Sequence, residues 1–327
     1  MTKRRLAGTV AVRAACGAVL LAVTGPPAQA VILYESPTRN TSAPSVGEGL
    51  AGWNLQGQWG NYLGTPIAPQ YFITGKHFGA STSITVGSQT YSIDTTFNGT
   101  GHVDDPLSDL RICRITGTFS SYAPLYDASA DGSEEDQTLT VIGRGTQRGD
   151  AVTVTGASVS DLRGWQWGTD DHVQSWGRNV VSFFSNYIAG SPDSLLVFAF
   201  NRVGGSGGGI TNECALSAGD SGGGVFINVG GVWKLAGISY AVTNYFSHTG
   251  GGDAGFAASI FDRGGLYYGQ QNNWTYIPDE AADKPGASYA SRISARLDWI
   301  NGVIPESGSA AVVALAGLVL LRRRGRR

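Results

Sequence analysis

The segment "AGDSGGGVF" (residues 218–226) decides how the rest of the chain is read. Gly219, Gly222 and Gly223 surround Ser221 with residues that tolerate a tight, crowded turn. An apolar strand-like stretch follows, so the serine is presented at the mouth of a strand. Such a turn aims the backbone N–H groups of Gly219 and Ser221 at one point, where negative charge on an oxygen would be stabilised. Asp220, between them, is expected to be buried and to anchor the loop.

A serine is a weak nucleophile until a neighbouring base takes its proton, so a histidine must come from elsewhere in the chain. Four are available: His77, His102, His172 and His248. His102 and His172 stand beside aspartates in polar stretches, and His248 lies in "SHTGGGD". His77 instead ends the apolar run in "YFITGKHFGA" (71–80), where a rigid strand can hold it. The "TGKH" inside that run is not a phosphate-binding loop. Such a loop needs G-x-x-x-x-G-K-[S/T] opening a helix, whereas His77 takes the Ser/Thr place and no helical pattern follows. Asp109 heads the alternating "DLRICRI" and is the carboxylate expected to orient the imidazole. Asp104 and Asp105, in the turn "HVDDP", are expected to be solvated. Lys76 is expected to point to solvent, because an ammonium beside an imidazole that must become cationic would oppose its charging.

The order His77, Asp109, Ser221 resembles the chymotrypsin/trypsin family, which carries T-A-A-H, D-I-A-L-L and G-D-S-G-G in that order. Further stretches are similar: "GNYLGTPIAPQYFITGKH" (60–77), "TVIGRG" (140–145), "LAGISY" (235–240) and "KPGASYASRISARLDWI" (284–300). The resemblance spans roughly 48–303. It implies an all-β double β-barrel of the chymotrypsin type with a C-terminal α-helix and the site in the cleft between barrels. His77 and Asp109 would come from the first barrel and Ser221 from the second. It also implies a substrate pocket formed by Ala215 at its base with Ser239, Tyr240 and Ala241 along its wall. Ala215 is not acidic, so a preference for Lys or Arg is not expected, and a small or medium apolar side chain is.

The chain departs from the family in several places. Gly75-Lys76 replaces Ala-Ala before the histidine, Phe78 replaces a cysteine, and Gly224 replaces a proline. An N-terminus at Val31-Ile32-Leu33-Tyr34 lacks the Ile-Val-Gly-Gly that activates trypsin-like zymogens, so Asp220 is expected to bind another group unless further processing occurs. The segment between Tyr240 and Lys284 is longer than usual, rich in Gly, Tyr and Asn, and expected to shape the cleft. Trp165, Trp167 and Trp176 read as barrel packing rather than a stacking surface for ligands.

Both ends carry targeting patterns. Lys3, Arg4, Arg5 and Arg13 precede a short apolar run and the small-x-small Ala28-Gln29-Ala30, a secretory signal over 1–30 cut before Val31. The segment 305–327 holds an apolar stretch and an arginine cluster, and resembles PEP-CTERM sorting tails processed by exosortase-type enzymes. Transient membrane contact through that tail is expected. With the basic start and the arginine cluster set aside, 14 basic residues face 25 acidic ones, a net charge near −11. That balance excludes nucleic acid as a partner, because phosphate contact needs Lys and Arg.

Between the ends, short segments rich in Val, Ile, Thr and aromatics alternate with Gly, Asn and Ser. An N-terminal segment (31–47) is followed by a first barrel (48–136) and a second (137–304). The second holds an insertion (241–283) and a helix on which Ile293, Leu297, Ile300 and Ile304 share one face. Cys113 and Cys214 are read as buried small residues in an exported chain where a disulfide is permitted. The expected activity is that of an exported serine endopeptidase, periplasmic, cell-surface or extracellular, acting on protein or peptide substrates. It calls for no cofactor and no metal. The alternative is a non-catalytic surface or matrix-binding protein built on the same fold.

Overall fold

Strands this short bury one face each, and the chain meets that constraint by curling two antiparallel seven-stranded sheets onto themselves. The computed structural model describes residues 30–188, 191, 193–251, 255–270 and 273–305, so the signal before Ala30 and the tail from 306 lie outside the described residues.

In the first sheet the strands run in the order Gln89–Ser92, Ser83–Val86, Gly57–Trp59, Tyr62–Ala68, Tyr71–Gly75, Leu110–Arg114, His102–Asp104. A bridge between Ile93 and Ile115, just past Gln89–Ser92 and Leu110–Arg114, curls the sheet round on itself. The second sheet runs Ser175–Val180, Thr138–Gly143, Gly224–Val229, Val232–Val242, Ala287–Arg292, Leu195–Ala199, Phe183–Ser185. Its tightest hairpin turns at Gly230 and Gly231, both at positive φ, which a two-residue turn requires. With the C-terminal helix, this is the chymotrypsin-type double β-barrel that the sequence led us to expect.

Glycine and a single glutamine set how closely the barrels approach. Gly222 has φ +78°, and a Cβ there would lie 2.3 Å from the Leu63 carbonyl oxygen across the cleft. Gln56 spans the same seam. Its amide donates to Thr65 Oγ1 (2.9 Å) and its oxygen accepts from the Gly224 N–H (2.9 Å).

A third sheet has no counterpart in the expected organisation. Six strands, Thr146–Thr153, Leu162–Asp170, Phe256–Ile260, Tyr245–Ser247, Tyr267–Gln270 and Asn273–Tyr276, form it in that order. It joins the insertion after residue 241 to a long hairpin, 146–170, whose length the sequence did not single out. The N-terminal strand Ile32–Leu33 pairs with Cys214–Ala215, so the start of the described chain is part of the fold.

Two expectations are corrected. The α-helix covers only Leu297–Val303, preceded by a 3-10 turn at Ser294–Arg296. Ile293 caps that 3-10 turn, its N–H bonded to the Ala236 carbonyl of the barrel and its side chain buried, and the non-helical backbone of Arg296 (φ −125°, ψ 12°) separates it from the α-helix. Asp105 is fully buried rather than solvated. Arg296 pairs with it through two hydrogen bonds (2.6 and 2.8 Å), and Ser108 Oγ and the Leu107 N–H also donate to it. Cys113 and Cys214 are buried in separate hydrophobic clusters and are not bonded to each other.

Candidate active site

The strand Tyr71–Gly75 pairs antiparallel with Leu110–Arg114, with Gly75 opposite Leu110. That register puts the residues just past Gly75 beside those just before Leu110. The Lys76 N–H donates to the Asp109 carbonyl at 2.8 Å, which locks the two strand ends together. His77 Nδ1 lies 2.6 Å from Asp109 Oδ2, and His77 Nε2 lies 2.8 Å from Ser221 Oγ. Asp109 is buried, while the imidazole and Ser221 are open to solvent. The three side chains therefore form a continuous line from a buried carboxylate to an accessible hydroxyl.

Gly75 has a specific reason to lack a side chain. A Cβ there would sit 2.9 Å from Asp109 Oδ2 and 3.3 Å from His77 Cε1, inside the space the carboxylate–imidazole pair uses.

Ser221 sits in the loop between Cys214–Ala215 and Gly224–Val229. Gly219 has φ +89°, and the N–H groups of Gly219 and Ser221 donate to no acceptor among the described residues. Both remain available to one oxygen beside Ser221 Oγ. The Gly222 and Gly223 N–H groups are instead spent on the loop, bonding to the Ser239 and Asp220 carbonyls.

Asp220 is buried and organises this loop from within. Its carboxylate accepts from the Gly145 N–H (2.8 Å), the Ser217 N–H (2.7 Å) and Ser217 Oγ (2.9 Å). The Val31 nitrogen, itself buried, reaches Asp220 Oδ1 at 3.4 Å. Loss of solvation outweighs these hydrogen bonds and pushes the Asp220 carboxyl up to about 6. A cation at the Val31 nitrogen would answer that burial. Ala30 is also buried, and its carbonyl accepts from Ser175 Oγ.

Of the expected pocket residues, Tyr240 and Ala241 line a cavity of about 270 Å³ beside Ser221. Ser239 is buried behind them, with no partner for its hydroxyl among the described residues. Ala215 is not at the base of that cavity. Its strand carries it into a cluster with Ile32, Trp165, Phe200 and Phe261, and Leu216 takes the lining position. Trp165 and Trp176 pack in the interior as expected, but Trp167 lines the cavity.

Lys76 does not extend into solvent. Its ammonium donates to the Asp105 carbonyl at 2.5 Å and lies 5.2 Å from the centre of the Tyr187 ring. Tyr187 packs edge-on against Tyr240, and Tyr240 edge-on against His77. Lys76 is thus held away from the imidazole by aromatic rings. Burial, then the Asp109 charge, pushes both tyrosine hydroxyls up, so they stay neutral. Tyr187 carried no sequence signal, because only the fold brings residue 187 to residue 77. The remaining histidines lie elsewhere: His102 begins the edge strand His102–Asp104, His172 Nδ1 lies 2.9 Å from Asp170 Oδ1, and His248 packs on Phe256. Burial holds the Cys113 thiol up at about 12 and raises that of Cys214, so neither is a competing nucleophile.

No protein-family model matches the sequence, and no curated protein matches it. Among solved structures, the chain is similar to neuropsin, a serine protease expressed in the limbic system of mouse brain. The identity is 13%, over 78% of this chain and 96% of that one, with a TM-score of 0.43. It is also similar to a protein described as HBP, at 14% identity over 77% of this chain and 92% of that one, with a TM-score of 0.44.

Proposed function

We infer that the chain is an exported serine endopeptidase. The observation that carries this reading is the unbroken line Asp109–His77–Ser221, ending beside two uncommitted backbone N–H groups. A binding protein has no use for that combination.

The chemistry follows from the geometry. Ser221 Oγ attacks the scissile carbonyl carbon while its proton passes to His77 Nε2. The carbonyl oxygen, now negative, is held by the Gly219 and Ser221 N–H groups. Asp109 accepts a hydrogen bond from the Nδ1–H throughout without taking its proton, fixing the tautomer and favouring the imidazolium. His77 then gives its proton to the leaving amine, and an acyl-enzyme remains on Ser221. Water, deprotonated by His77, releases the acid and restores the serine.

Export and activation are one event in this reading. A cut after Ala28-Gln29-Ala30 frees Val31 as an α-ammonium where its nitrogen already contacts buried Asp220. The loop bearing Ser221 is then held by an ion pair that the uncut chain cannot form. The PEP-CTERM-like tail would deliver the mature chain to the cell surface through an exosortase-type enzyme, with membrane contact limited to that step.

A fluorophosphonate probe tests the assignment. Wild-type protein beginning at Val31 is expected to be labelled, and Ser221→Ala is expected to lose labelling and peptide hydrolysis with an unchanged fold. Labelling that persists in Ser221→Ala would overturn the assignment, as would an unreactive wild type.

A further inference from the structure

We propose that Trp167, supplied by the third sheet, fixes the size of the side chain accepted immediately before the scissile bond, and that this side chain is uncharged and apolar, of leucine or methionine size. The inference rests on the peptidase reading above.

Trp167 lies on the strand Leu162–Asp170, two residues past Trp165, so both side chains leave the same face. Trp165 is buried in the cluster around Ala215, and Trp167 packs at the edge of that cluster and lines the cavity next to Ser221. Its ring is tied in place. Trp167 Nε1 donates to Ser259 Oγ (3.0 Å), Ser259 Oγ donates to the Leu216 carbonyl (3.2 Å), and the Leu216 N–H donates to Ser288 Oγ (3.0 Å). Leu216 is itself a lining residue, so the wall and the nucleophile loop are coupled by hydrogen bonds. An indole held at its polar edge cannot swing aside to admit a larger group.

The remaining walls agree with a neutral occupant. Leu216, Ala241 and Val242 are apolar. The one carboxylate in the described lining, Asp220, is committed to Gly145, Ser217 and Val31, and the Tyr240 hydroxyl is kept neutral. A Lys, Arg, Asp or Glu side chain placed there would lose its hydration with no partner. The Asn244 amide, at the cavity, has no hydrogen-bond partner among the described residues and offers one polar contact without charge.

Peptide aldehydes differing only in the residue before the aldehyde, competing against fluorophosphonate labelling, read this directly. For wild type, the Leu and Met compounds are expected to compete best, Phe about tenfold less well, and Lys and Glu about 100-fold less well. Trp167→Ala is expected to improve the Phe compound about tenfold relative to Leu, both read against the variant's own labelling rate. Ser259→Ala, which keeps the ring but frees it, should narrow the Leu–Phe difference in the same direction. A wild-type preference for a charged residue overturns the proposal. So does an unchanged ranking in Trp167→Ala or, if that variant fails to fold, in Ser259→Ala. Failure of wild type to label at all would instead overturn the peptidase reading, which separates the two.

Discussion

The backbone nitrogen of Val31 lies 3.4 Å from Oδ1 of Asp220, with both residues buried and 189 positions apart in sequence. Asp220 is the residue preceding Ser221, so the backbone at Val31 and the Ser221 loop meet through one contact. Pairing of Ile32–Leu33 with Cys214–Ala215 holds that contact in register, and Arg148 donates to the Leu33 and Tyr34 carbonyls just beyond it.

The position of the chain start is therefore predicted to govern the reactivity of Ser221. Protein whose first residue is Val31 is compared with protein carrying two additional residues before it. The extended form is expected to react with fluorophosphonate about 100-fold more slowly, because a buried carboxylate without its cation costs about 3 kcal/mol. Equal labelling rates would show that Asp220 does not need the α-ammonium.

Glu213 makes the fold sensitive to pH. It is buried, accepts from the Asn201 and Ile210 N–H groups (2.9 and 3.1 Å), and burial pushes its carboxyl from 4.5 up to about 7. Because the folded value is the higher one, the folded protein binds the proton more tightly. Its stabilising effect is fully present below about pH 4.5 and is lost as pH rises through about 7. The loss amounts to at most about 3 kcal/mol. Glu213→Gln is expected to flatten the fall in Tm between pH 5 and pH 8, and a slope equal to wild type would refute the attribution.

Gly75 is predicted to be intolerant of the smallest side chain. In Gly75→Ala the new methyl presses on Asp109 Oδ2 and the imidazole edge, tilting the base away from Ser221. A displacement of this kind costs about 100-fold in kcat/KM, with far less effect on stability. Wild-type turnover by Gly75→Ala would mean that the pair has room to spare.

The Asp105–Arg296 pair is predicted to carry the C-terminal segment. Arg296→Met strands a fully buried carboxylate and is expected to destabilise the protein by about 3 kcal/mol in chemical denaturation. Adding Asp105→Asn should restore part of the loss, since the stranded charge is then gone. No recovery in the double variant would place the effect elsewhere.

Much of the site was legible because its chemistry is local. A serine needs small neighbours, a strand end needs an apolar run behind it, and each requirement leaves its mark within ten residues. Hence the loop around Ser221, the strand before His77 and the strand after Asp109 could be read directly. Asp105 was misread because "HVDDP" looks like any polar turn, and its partner Arg296 is 191 residues away. Lys76 was misread for a related reason: Tyr187 and the Asp105 carbonyl, which hold it, are contributed by other segments. The resemblance implied Ala215 at the pocket base, but pairing with Ile32 turns it into the core.

The sequence by itself determined that Ser221, His77 and Asp109 form the candidate site and that the class is all-β, since these rest on residue type, spacing and strand alternation. Tertiary structure alone decided that the hairpin 146–170 and the insertion after 241 join in one sheet, that Trp167 walls the cavity, and that Val31 reaches Asp220. Those outcomes depend on which distant faces are apolar enough to meet and which buried charge still lacks a partner. Neither quantity belongs to any short stretch of chain, and both exist only once the barrels have closed.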